Sequence, residues 1–349
     1  MPDRSPPVWL LGLPFDLVTM EEARERIFHA ADTREQLIFA TPNVNFAAQA
    51  ARDPRFREDV LRCDLCLVDG MPLVWLGRLL GIAFTTRVAG SDLLESLLTQ
   101  PGRRALRVYF FGGEEGAAEA AARGVNRPGS GLVPAGAYYP GFVGIEQMSS
   151  EAIIQAINAS GADFLVVALG AAKGHRWIEA NRHRLEVPVI SHLGAAINFL
   201  GDRVRRAPRW LQRIGLEWLW RIRQEPTLFR RYARDAVFLA RVTLGFVLPE
   251  ALRRRHRRQP TLHVTGLQDG SWFGTIEHGF EAATVASLPG GAVAGIELRN
   301  VKHMDCVAAG WLYASQYRVP QNATPPKLLC DAVSAATLRD WRMSIQTSR

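Results

Sequence analysis

The first 200 residues of this chain are filled by one alternation: short apolar runs, each followed by a segment with helical spacing. "WLLGLPF" (9–15) reads as a strand. "TMEEARERIFHAA" follows, opens with the capping box Thr19–Glu22, and continues as an amphipathic helix. "QLIFATPN" (36–43) and "DLCLVDG" (64–70) are further strand-like runs, each ending on polar residues. "RVYFFGGEEGAAEAAA" reads as strand, Gly-Gly turn and Ala/Glu helix. "SSEAIIQAINASGADFLVVALG" is helix then strand, and "VPVISHLGAAINFLG" is strand, glycine turn and helix. Such alternation predicts an α/β fold whose sheet is mostly parallel, with helices on both faces. Ligands of these sheets sit beyond the carboxyl ends of the strands. The rule selects Thr41, Asn43, Asn45, Asp69, Gly112, Gly113, Gly170 and Gly194 as candidate site residues.

Composition then shifts. Between Arg203 and Arg258 there are sixteen arginines, no lysine, and four acidic residues: Glu217, Glu225, Asp235 and Glu250. Trp210, Trp218, Trp220, Phe229, Tyr232, Phe238 and Phe246 interleave with them, and "RRRHRRQP" reads as a linker. From Thr261 a smaller α/β pattern begins, with "TLHVTG", "GTIEHGF" and "GAVAGIELRNV" strand-like and "VAAGWLYASQYR" helical. Three domains are therefore expected: a Rossmann-like core over 1–202, an Arg-rich helical appendage and linker over 203–258, and a small α/β domain over 259–349. The formal net charge of +8 calls for an acidic partner, namely nucleic acid, an anionic membrane surface or a phosphorylated substrate. Four cysteines in 349 residues suit a reducing compartment rather than a disulfide scaffold. No signal peptide is read at the N-terminus, and no apolar run is long enough to span a bilayer. "AVFLARVTLGFVL" comes closest but is short and contains Arg241.

Several short motifs carry chemistry. Cys63 and Cys66 form a C-x-x-C, but no second pair exists to complete a zinc site, and both fall in segments that should be buried, so packing is the better reading. Asp69 closes an apolar run and precedes Gly70. Partial desolvation there would raise its pKa and make it a usable general base, whereas the same position suits a helix cap before Pro72; spacing does not decide between them. "FFGGEEG" could bring backbone N–H groups to a diphosphate or be a tight turn, and "TPNVNF" could hold sugar hydroxyls or close a turn. Arginines interleaved with aromatics suit phosphate groups and a membrane interface.

Seven blocks in order, "TPNVNFAAQA", "CDLCLVDGMPLVWLGRLLG", "RVAGSDLL", "VYFFGGEEGAAEAAA", "ADFLVVALG", "LGAAINFLGDRVRRAPRWLQRIGLEWLWRIRQEP" and "FRRY", resemble the bacterial WecG/TagA/CpsF glycosyltransferases over roughly residues 8–245. The resemblance implies an inverting transferase that needs no metal or other cofactor. It would move a sugar from a UDP-sugar to an undecaprenyl-diphosphate-linked sugar in surface polysaccharide synthesis. It implies Asp69 as general base and Arg87 as its companion. It further implies Thr41, Asn43, Gly112, Gly113, Arg221, Arg230 and Arg231 as substrate or nucleotide contacts, with the appendage docked on the inner membrane from the cytoplasmic side. A nucleic-acid partner is not implied, and a homo-oligomer is left open. One block departs from the family: "GAAKGHRW" puts Gly174 where the family carries Gln, which leaves Lys173 or His175 to replace the amide. The last residues more weakly resemble a STAS domain, with Cys306 at the position of its phosphorylatable serine, which implies a protein partner rather than a phosphorylation switch. The alternative reading is a catalytically impaired member acting as a membrane-associated scaffold.

Overall fold

The computed structural model describes residues 6–84, 86–194, 196–200, 207–208, 210–211, 215–253, 260–267, 271–289, 292–318, 325–341 and 343. They fall into two compact units, neither contiguous in sequence: Val18–Val74 with Thr85–Asp235, and Met1–Leu17 with Trp75–Phe84 and Ala236–Arg349. In chain order the strands are β1 (Val8–Leu10), β2 (Leu13–Phe15), β3 (Leu37–Ala40), β4 (Leu65–Cys66), β5 (Leu106–Gly112) and β6 (Leu132–Tyr138). They continue with β7 (Phe164–Ala168), β8 (Val189–His192), β9 (Thr261–Gly266), β10 (Trp272–Phe280), β11 (Val293–Met304) and β12 (Lys327–Cys330).

β3 to β8 build the parallel sheet of the first unit, in the order β4-β3-β8-β7-β5-β6. Helices cover both faces of such a sheet, so its inner strands are largely apolar. Every residue of β3 and β7 is buried accordingly. The expected capping box is formed: the Glu22 N–H donates to Thr19 Oγ1 at 3.2 Å, and the Thr19 N–H donates to the Glu22 carboxylate at 2.7 Å. β4 is only two residues long, but the chain beyond it stays attached to β3. The Leu67 N–H donates to the Ala40 carbonyl at 2.9 Å and the Asp69 N–H to the Pro42 carbonyl at 3.0 Å. Cys63 and Cys66 are buried, and burial and their mutual contact keep the Cys63 thiol protonated, as the packing reading requires.

Behind the carboxyl end of β8 lies a pair of buried imidazoles, His175 and His192, with ring centroids 5.5 Å apart. His175 is held by the edges of Phe46 and Phe56 and by the Cys63 thiol, 3.8 Å from its Nδ1. Neither Nε2 has a hydrogen-bond partner among the described residues. Burial pushes His192 down to about 4 and His175 well below its ordinary range.

The second unit holds the unexpected element. "WLLGLPF" is not one strand but a hairpin: β1 and β2 pair antiparallel around Leu11 and Gly12, whose φ values are 53° and 85°. Two positive φ values are what a two-residue hairpin turn requires. The hairpin packs within its own unit. The Trp9 Nε1–H donates to the Trp341 carbonyl at 2.8 Å, the Trp9 ring lies 5.3 Å from that of Tyr313 at a tilt of 41°, and Asp16 takes both Arg318 Nη groups at 2.6 and 3.0 Å. Gly310 allows the approach, because a Cβ there would lie 1.6 Å from the Pro7 carbonyl oxygen. β9 to β12 form a mixed sheet in the order β12-β11-β10-β9, antiparallel only between β9 and β10. Asp305 caps the helix Cys306–Tyr317, and the Cys306 thiol at its start is buried. No helix among the described residues is long and apolar enough to cross a membrane.

Two outcomes follow. Trp9→Phe replaces the indole by a smaller phenyl ring and leaves a buried carbonyl unpaired, so the unfolding free energy from denaturant titration should fall by about 1–3 kcal/mol from the lost hydrogen bond alone. The unfolded chain protonates its histidines near the ordinary pKa of about 6.5, well above the folded values of His175 and His192. Below that pH the unfolded state therefore binds more protons, and these two groups cost stability as pH falls toward their folded values. Asp69, discussed below, acts in the opposite direction in both proteins. His192→Gln should thus lose less stability than the parent between neutral pH and pH about 5 in paired urea titrations.

Candidate functional site

The site grows from the loops that leave β3 and β4. β3 ends before Thr41, which is buried, and a Cβ on Gly90 would lie 3.0 Å from its hydroxyl, so the Thr41 side chain faces the start of the helix Gly90–Thr99. Asn43 caps the helix Val44–Ala50 by accepting from the Phe46 N–H at 3.1 Å. The Asp69–Pro42 hydrogen bond then sets Asp69 beside this turn. Gly70 follows with φ 108°, a left-handed conformation that only glycine adopts without strain.

Asp69 differs from an ordinary helix cap in its electrostatic setting. Burial pushes its carboxyl up to about 7; Arg87 and Arg221 pull it down, and Glu217 and Asp92 push it up. Arg87 is the hub of this cluster. Its Nη2 donates to Asp92 at 2.6 Å and its Nη1 to Glu217 at 3.0 Å. Burial disfavours the Arg87 cation, but Asp69, Asp92 and Glu217 together raise its pKa and hold it charged. Among the described residues, Asp69, Asp92 and Glu217 share this cluster with Arg87 and Arg221. Desolvation is the main reason that the Asp69 carboxyl keeps its proton up toward neutral pH. Arg221 lies over the Phe199 ring at 5.4 Å, and its buried Nε has no partner among the described residues.

Other expected residues take different roles. Gly112 and Gly113 have φ values of 97° and 87°, and a Cβ on Gly112 would lie 2.7 Å from the Ala168 oxygen. The Gly113 N–H donates to that same carbonyl at 2.6 Å, which ties the turn after β5 to the end of β7. Asn45 gives its amide to Asp235 at 3.0 and 3.1 Å, which ties the helix Phe229–Val242 to the helix Val44–Ala50. Lys173 donates to the Val143 carbonyl at 2.6 Å. Gly174 has no room for a side chain, because a Cβ there would lie 2.3 Å from the His192 ring. His175 is 1% exposed and takes no part in the cluster, whereas Lys173 is half-buried. Arg230 is exposed, and Arg231 lies over the Tyr232 ring at 5.0 Å; neither is among the charges that govern Asp69.

Sequence reasoning passed over Glu217 and Asp92, which complete the cluster, and His192, which fills the space at Gly174. A signal existed for Glu217: acids are rare between Arg203 and Arg258, and this one stands one helical turn before Arg221.

The comparisons with known proteins bear on this geometry. The chain is 30% identical over 195 residues to the N-acetylglucosaminyldiphosphoundecaprenol N-acetyl-β-D-mannosaminyltransferase of Bacillus spizizenii strain W23, a match covering 56% of this chain and 73% of that protein. The protein of the same name from Bacillus subtilis strain 168 is 25% identical over 203 residues, covering 58% and 77%. That from Staphylococcus aureus strain MW2 is 21% identical over 235 residues, covering 67% and 91%. The model of the glycosyl transferase WecG/TagA/CpsF family matches residues 8–272, from the β1 hairpin through the Asp69 cluster and the appendage, and the chain belongs to that family.

Proposed function

We propose that the protein transfers a sugar, of the N-acetylmannosamine type, from a UDP-sugar to a sugar carried on a polyprenyl diphosphate, with inversion and without a metal ion. The observation that carries this reading is a carboxyl poised near neutrality at the end of a parallel strand, with two arginines beside it. The relatives bear names that specify a diphosphoundecaprenol-linked acceptor and an N-acetylmannosaminyl group. A carboxylate with a pKa of about 7 is half ionised at neutral pH, which suits a general base. Asp69 takes the proton from the acceptor hydroxyl as that oxygen attacks the anomeric carbon. The bond to UDP breaks on the opposite face, and the negative charge that develops on the diphosphate is met by Arg221 and Arg87. Thr41 and Asn43, on the turn that the Asp69 N–H bonds to, line the site.

The appendage serves an acceptor that stays in the membrane. In the first unit Trp210, Trp218, Leu219 and Phe229 are 63%, 41%, 51% and 61% exposed. In the second unit Leu244 and Leu252 are 69% and 67% exposed on the continuing helix. Arg223, Arg230, Arg234 and Arg241 are exposed as well, whereas Asp235 and Glu250 are buried. In the first unit, exposed apolar and cationic residues with Asp235 buried fit an anionic lipid headgroup layer on the cytoplasmic side. A scaffold role is the second reading, and it is favoured by Gly174, which offers no side chain to a substrate. Release of UDP in the presence of a lipid-linked acceptor separates the two.

Asp69→Asn should lower transfer by about 10²–10⁴-fold while calorimetric binding of the UDP-sugar survives. Full activity in that variant removes the base assignment. Arg230→Gln with Arg234→Gln should weaken sedimentation with phosphatidylglycerol vesicles by about 1 kcal/mol per residue. Unchanged sedimentation removes the membrane assignment.

A further inference from the structure

The helix Glu217–Gln224 is built the wrong way round for a globular protein. Surface helices normally turn an apolar stripe inward and charge outward. Here Trp218 and Leu219 are 41% and 51% exposed, whereas the Glu217 carboxylate is bonded to Arg87 and the Arg221 Nε is buried. No residue of this helix is fully buried, so apolar burial alone does not account for its place. Arg87 does: Asp92, from the helix Gly90–Thr99, occupies one side of its guanidinium, and Glu217 reaches it across 130 residues of sequence to occupy the other. Glu217 and Arg221 are four residues apart and therefore share a face. Fixing the first delivers the second.

We infer that Glu217 is a positioning residue for the transfer: its carboxylate ties this helix to Arg87, which sets Arg221 beside Asp69, and it places a negative charge next to the base. The inference rests on the reading of Asp69 as the base. Among the described residues, Arg87 and Asp92 from the core and Glu217 and Arg221 from the appendage helix act on the Asp69 carboxyl. Glu217 and Arg221 thus reach the base from a helix that starts 25 residues after the last strand of the sheet, β8, ends at His192. Glu217 does two separable things. Its hydrogen-bonding oxygen holds the helix, and its charge opposes ionisation of Asp69.

Glu217→Gln separates them, since the amide oxygen still accepts from Arg87 but carries no charge. In protein labelled with carboxyl-¹³C aspartate, with the Asp69 signal assigned through Asp69→Asn, the Asp69 titration midpoint should move down by roughly one pH unit in Glu217→Gln. The acid limb of kcat/KM should move with it. Glu217→Asp, which keeps the charge, should return the midpoint toward that of the parent. Glu217→Ala removes both roles and should speed amide hydrogen exchange over residues 217–224 by at least tenfold. An unmoved midpoint in Glu217→Gln, a midpoint that Glu217→Asp does not restore, or unchanged exchange in Glu217→Ala overturns the inference. If the parent protein transfers no sugar, the proposed function falls, while the titration and the exchange still decide the role of Glu217.

Discussion

Much of the first unit depends on how the Arg87 guanidinium is shared. One side goes to Asp92 at 2.6 Å and the other to Glu217 at 3.0 Å, and only 12% of the side chain is exposed. A charge that far out of water needs partners, and removing one partner from such a group costs about 3–5 kcal/mol. The cost is met because both partners come from elements placed by other means: Asp92 by the first turn of a helix whose Leu93, Leu94 and Leu97 are in the core, and Glu217 by the chain that returns after the sheet is complete. The same sharing keeps Asp69 near neutrality. Desolvation, together with the Glu217 and Asp92 charges, raises the Asp69 carboxyl to about 7 against the pull of Arg87 and Arg221. Arg87 spends both Nη groups on carboxylates, whereas the buried Arg221 Nε has no hydrogen-bond partner among the described residues.

The sheet supplies the other constraint. Parallel strands bring all their carboxyl ends to one edge, so Thr41, Asn43 and Asp69 share an edge although they leave different strands. Short backbone bonds lock that edge, with Asp69 on Pro42 and Gly113 on Ala168. The second bond ties the Gly-Gly turn to the end of β7. Its positive φ values and its close approach to Ala168 explain why glycine is needed, without any ligand. Gly174 is explained in the same way, by the His192 ring that occupies the space of a side chain.

How much of this was legible depended on the range of the interaction involved. Local signals were read directly: the Thr19–Glu22 capping box, the buried cysteines and the run of strands all have their cause within a few residues. The hairpin was not. "WLLGLPF" has the apolar content of a strand, and its turn rests on Leu11 at φ 53°, a residue type that gives no turn signal. What holds that turn lies some 300 residues away, at Tyr313, Arg318 and Trp341. Asp69 itself was legible as a candidate, because a carboxylate after an apolar run is unusual. Its partners were only half legible: Arg87 and Arg221 came from a family pattern, and Glu217 and Asp92 came only from the structure. Asn45 looked like a ligand and proved to be a tether, because nothing in "TPNVNF" announces that Asp235 will be opposite.

The rare acids of the arginine-rich segment carry a general lesson. A basic surface meant for anionic partners does not gain from carboxylates, so any that remain need another reason to be there. Three of the four between Arg203 and Arg258 show one. Glu217 pairs with Arg87, Asp235 is buried against Asn45, and Glu250 is buried in the second unit. Each of the three is turned into its own unit, and arginines, tryptophans and leucines are among the exposed residues of the segment. In such a segment, the sparse opposite charges mark where the helix meets its own protein, and the abundant ones mark where it meets something else.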